Sequence, residues 1–134
     1  MLDFIPINFI IGLEIVYGLI ITTFWLSFFS SLKGKDFSHM PEGYLLHEKS
    51  FVWPDAIIVI LLICAATLLW LGNPLGEQLT LVAGGMMLFL GVIDVAYEYA
   101  NEMYKAPRAS LGDFIMTNTL IVAAIILIVR FVQI

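Results

Sequence analysis

The stretch EQLTLVAGGMMLFLGVIDVAYEYA, residues Glu77 to Ala100, decides the fold. It is almost continuously apolar as far as Ile93 and then carries Asp94 and Glu98. A helix rises about 1.5 Å per residue and a bilayer's hydrocarbon core is about 30 Å thick, so roughly 17 to 25 apolar residues cross it. The stretch meets that length. An ionised side chain in hydrocarbon costs several kcal/mol unless it is protonated, paired or facing water, so acids inside such a run mark a functional site by default.

Three further runs match it in length and character: Ile5 to Phe29, Pro54 to Leu71 and Gly112 to Phe131. The chain has 134 residues, 61% hydrophobic and 13% charged, whereas soluble domains average about 25% charged. The expected architecture is therefore an all-α integral membrane protein, a single four-span domain over residues 1–134 folded as an antiparallel four-helix transmembrane bundle. Gly72-Asn73-Pro74-Leu75-Gly76 is a dense turn signal and makes the second and third spans antiparallel neighbours. The first span has no basic residue before it and no cleavage pattern after Ser30-Ser31, so it is expected to be retained.

Two longer connections, Ser31 to Trp53 and Asn101 to Leu111, hold five of the six Lys/Arg residues, and Arg130 is the sixth. Basic residues stay on the cytoplasmic side of membrane proteins, which predicts both loops in the cytoplasm and both termini outside. Trp53 and Trp70 bracket the second span as interfacial anchors do. The net charge of −5 excludes the basic footprint that nucleic acid requires. A single cysteine, Cys64, allows neither an intrachain disulfide nor a thiolate cluster and reads as a small packing residue. Gly12, Gly18, Gly84, Gly85, Gly91, Ala123 and Ala124 are small residues of the kind that let membrane helices approach closely.

Several acids have a local explanation. Asp3, Asp55, Glu77 and Asp113 open helices, where a carboxylate meets the positive end of the dipole for roughly 0.3 to 1 kcal/mol. Ser110 to Asp113 further reads as a capping box. Asp94, Glu98 and Glu102 fall at the opposite end, spaced i, i+4, i+8, where like charges stack and the dipole disfavours anions. Something outside the helix must compensate: a proton, a bound cation, water, or Lys105 and Arg108. Tyr97, Asn101 and Tyr104 share that broad face. Thr22 and Thr23 on the first span, and Thr117, Asn118 and Thr119 on the fourth, reach a matching depth and predict a cavity at the cytoplasmic end. Threonines often bond their own backbone, whereas a buried amide such as Asn118 must find several partners.

Glu14 lies about 13 Å into the first span, near the membrane middle. It is either a protonated acid bonded to a neighbouring helix or a group that handles a ligand or proton. Glu14 and the Trp53-Pro54 step opening the second span resemble the small multidrug transporters, four-helix proteins with a glutamate in the first helix. The acidic third helix and the long first loop depart from that pattern. His39 and His47, with Glu42 and Glu48 nearby, match no helical metal-ligand spacing and are interrupted by Pro41 and Gly43, so they read as solvated loop residues. No cofactor or metal motif and no nucleophile motif is present.

The candidate ligand-binding residues are thus Glu14, Asp94, Tyr97, Glu98, Asn101 and Asn118, all facing inward. The leading functional expectation is binding of a proton, small cation or amine-like ligand, in a carrier or an accessory subunit. One alternative is a small membrane enzyme using paired carboxylates as acid and base on a lipid-soluble substrate. Another is a structural protein whose acids meet a partner. Beyond the bilayer itself, a second copy or a partner membrane subunit is the expected associate.

Overall fold

The computed structural model describes residues 4–132 and is all-helical over them. Five helices follow in order: α1 (Ile7–Ser31), α2 (Tyr44–Ser50), α3 (Val52–Trp70), α4 (Leu75–Ala100) and α5 (Leu111–Phe131). α1, α3 with its α2 extension, α4 and α5 are each long and apolar enough to cross a membrane. The chain is accordingly a multi-pass membrane protein by composition, and the four long helices form the expected bundle. α3 packs on both α1 and α4, and α4 packs on α5, while α1 and α5 touch only sparsely.

α2 was not legible as a helix. Gly43, at a φ of +78°, ends the preceding loop in the left-handed region and lets the helix start at once. Phe51 separates it from α3, its N–H donating to the Glu48 carbonyl, and Pro54, lacking an N–H, leaves the Ser50 carbonyl without its helical donor before Asp55 N–H donates to Phe51. The second span therefore runs from Tyr44 to Trp70 as two successive helices interrupted at Phe51.

α3 and α4 both end in the same hydrogen-bond pattern. After α3, Gly72 N–H donates to Leu69 and Asn73 N–H to Leu68, with Gly72 at a φ of +67°. After α4, Glu102 N–H donates to Tyr99 and Met103 N–H to Glu98, but the left-handed position falls on Glu102, at a φ of +51°. The Ser110 hydroxyl accepts the Asp113 N–H at 3.2 Å, as the capping pattern predicted, and Glu77 and Asp55 sit in first turns. Asp3 lies outside the described residues.

The core is a continuous apolar cluster including Ile10, Tyr17, Ile58, Leu62, Met87, Ala124 and Leu127. The small residues divide into two groups. A Cβ on Gly91 would lie 2.7 Å from Ile121, one on Gly84 would lie 3.0 Å from Ile128, and one on Gly76 would lie 2.7 Å from the Leu69 backbone nitrogen, so these three mark close helix approaches. Gly12 and Gly85 face open space, and Gly18 only ordinary contact. Cys64 is exposed on α3 rather than packed inside. In a rod apolar on every side, sequence does not reveal which face turns inward.

Candidate functional site

Arg108 joins the two long loops at one end of the bundle, its Nε donating to the His39 carbonyl at 3.0 Å and its Nη1 to the Asn101 carbonyl at 2.9 Å. Beneath them lies a cavity of about 70 Å³ to which every helix contributes. α4 supplies Asp94, Tyr97 and Glu98, α2 supplies Tyr44, His47 and Glu48, α3 supplies Asp55, α5 supplies Asp113 and Thr117, and α1 supplies Phe24 and Trp25. Five carboxylates thus face one small space whose lining, among the described residues, includes no Lys or Arg.

Some of these acids are held in place. Trp25 Nε1 donates to Asp55 Oδ2 at 2.9 Å, clasping α1 to α3, and the Thr117 hydroxyl donates to Glu98 Oε1 at 3.1 Å, clasping α5 to α4. Asp94 has a different neighbour. His47 Nε2 is 4.0 Å from its Oδ1, too far for a hydrogen bond and an ion pair only when the imidazole is charged. The His47 ring instead stacks on Tyr97, centroids 3.6 Å apart. His47 Nε2 and the Tyr97 hydroxyl are both buried with no hydrogen-bond partner, so the cavity wall offers two polar atoms with unused capacity.

Three of the six candidate residues, Asp94, Tyr97 and Glu98, meet in this cavity, and three do not. Asn101 caps α4, donating from Nδ2 to the Tyr97 carbonyl while its own carbonyl takes Arg108. Asn118 is exposed on the outer side of α5 and donates to the Phe114 carbonyl at 2.8 Å. The inward orientation expected for it is corrected: an amide that bonds its own helix can face outward. Glu14 is fully buried but lies apart from the cavity, whose inner end is formed by Ile20, Ile21, Leu90 and Leu120. Away from the cavity, the Thr80 hydroxyl contacts Glu14 Oε1 at 2.6 Å and the Gly76 carbonyl at 2.9 Å, and Glu14 Oε2 has no partner.

Thr22, Thr23 and Thr119 are exposed as well, Thr22 bonding Gly18 and Thr119 bonding Met116. His47 is half-buried in the cavity wall and not a solvated loop residue, whereas His39 is exposed. Trp25, His47, Glu48, Asp55 and Asp113 are among the lining residues that sequence reasoning did not gather. The available signal was that all five lie at the same end of the bundle as Asp94. Outside the spans, Lys105, 2.8 Å from Glu102, holds that carboxyl below its ordinary range, and the Ser38 N–H does the same for Asp36.

Among the described residues no group of three His, Cys, Asp or Glu side chains is placed to hold a metal ion. Comparison with known proteins gives no match to a family model, a curated protein or a solved structure.

Proposed function

We propose that this cavity binds a small ammonium-type cation, and that the protein acts as a carrier of such an ion or as an accessory subunit of one. The observation that carries the reading is the lining: five carboxylates around about 70 Å³, opposed, among the described residues, by one imidazole and no permanent cation. Like charges so close in a region of low dielectric need protons or cations between them. Phe24, Trp25, Tyr44 and Phe51 also line the cavity, and aromatic rings are the side chains on which an alkylammonium ion is favoured over a strongly hydrated one.

The size of the cavity supports binding over catalysis on a lipid-soluble substrate. Sites for drug-sized molecules occupy about 300 to 1,000 Å³. Here there is room for a few waters or an ammonium head with a short alkyl stem. A partner-binding role for the acids would turn them outward, and Asp94 and Glu98 turn inward. Glu14 serves this reading as a buried joint between α1 and α4. The positive-inside rule supports a cytoplasmic location for the cavity end, with both termini outside.

Ligand-linked stability tests the reading, because a ligand that binds only the folded state raises the melting temperature with its concentration. Methylammonium chloride should raise Tm of the detergent-purified protein above that in sodium chloride of equal ionic strength. Identical melting in the two salts across the whole range would overturn the proposal.

A further inference from the structure

Asn118 is a polar group for which the bundle has no use. α5 rests on α4 through Thr117, which bonds Glu98, and through Ile121, Ala124 and Leu127, which lie against the positions of Gly91 and Gly84. At 3.6 residues per turn, Asn118, Val122, Ile125 and Val129 fall on the opposite side, and all four are exposed. Exposed apolar residues also precede the amide: Leu111, Phe114 and Ile115. Asn118 therefore sits about 10 Å along a spanning helix with apolar surface above and below it.

A primary amide carries two N–H donors and a carbonyl oxygen with two lone pairs. One N–H goes to the Phe114 carbonyl, and among the described residues the structure gives the other N–H and the oxygen no partner. The neighbouring Thr119 hydroxyl is already turned back to Met116 and does not compete. Hydrocarbon offers no water, and an unsatisfied polar group there costs several kcal/mol.

We propose that the outer face of α5 is a homodimer contact in which Asn118 pairs with its counterpart in a second copy, around a two-fold axis along the membrane normal. Two properties single out a second copy as the occupant. An amide is self-complementary, each donating to the other's oxygen. A second copy inserted in the same orientation also brings its amide to the identical depth, which no lipid headgroup reaches past Leu111 and Phe114. Asn118 fixes the register, and Ile115, Val122, Ile125 and Val129 supply the packing along the rest of the seam. The contact is independent of the cavity, which opens on the other side of α5.

The full chain in detergent micelles and in liposomes tests this. Sedimentation equilibrium should find a dimer, and Asn118→Leu should weaken it about ten-fold, the scale of interhelical hydrogen bonds in membranes, with unchanged thermal melting of the protomer because the residue faces outward. In a Cys64→Ser background, Asn118→Cys should give a disulfide-linked dimer on mild oxidation, while Ile57→Cys, exposed on α3, should not. A chain monomeric at every protein-to-lipid ratio would overturn the proposal. So would a dimer whose dissociation constant ignores Asn118→Leu, or cross-linking at Ile57 and not at Asn118.

Discussion

The His47 imidazole lies flat on the Tyr97 ring, centroids 3.6 Å apart and planes 8° from parallel, so α2 is fastened to α4 in the wall of the acidic cavity. Stacked aromatic pairs contribute about 0.5 to 1.5 kcal/mol beyond the area they bury. Removing the ring by His47→Ala should speed amide hydrogen exchange across Tyr44–Ser50 by roughly two- to ten-fold. Tyr97→Phe, which keeps the stack, should leave it unchanged. Equal acceleration by both variants would contradict the stack as the contact that fastens α2.

Glu14 and Thr80 form the deepest polar contact. A hydroxyl has one proton, and the Thr80 oxygen lies within bonding distance of both Glu14 Oε1 and the Gly76 carbonyl. Glutamine can donate to Thr80 Oγ1 and free that proton for Gly76. Glu14→Gln should therefore melt within a few degrees of wild type. Thr80→Val, which orphans the buried carboxyl, should cost about 1 to 3 kcal/mol. A large loss of Tm in Glu14→Gln would contradict this account of the contact.

The glycines separate by what a methyl group would meet. Gly91→Ala and Gly76→Ala should be clearly destabilising, because their Cβ atoms would fall 2.7 Å from Ile121 and from the Leu69 backbone. Gly85→Ala faces open space and should stabilise α4 by up to about 1 kcal/mol through helix propensity. Thermal melts of the three variants in one detergent decide the matter.

Glu102 occupies a left-handed backbone position that ordinary L-residues adopt at a cost, and its ion pair with Lys105 is exposed. Glu102→Gly should raise Tm by about 3 °C or more. A fall in Tm would mean that the exposed pair outweighs the backbone term.

The spans were legible because length and hydropathy alone define them, and Asp94, Tyr97 and Glu98 were legible because local helix physics offers stacked acids at a C-terminus no support. Asp55 and Asp113 were hidden by a sufficient local explanation, each opening a helix, though each also lines the cavity. Glu48 and His47 were hidden by the breakers before them: Pro41 and Gly43 made the segment read as loop, whereas Gly43 starts α2. Asn118 was assigned to the wrong side because α5 is apolar nearly all round, and only its packing on α4 through Thr117 and Ile121 fixes its rotation.

The central claim, that the five carboxylates form a cation site, is tested most directly by calorimetric titration of methylammonium chloride into the purified protein at constant ionic strength. The account predicts saturable binding to wild type and to Glu14→Gln, abolished by Asp94→Asn with Glu98→Gln. It is contradicted by a wild type that shows no saturable binding, or by a double variant that binds as well as wild type.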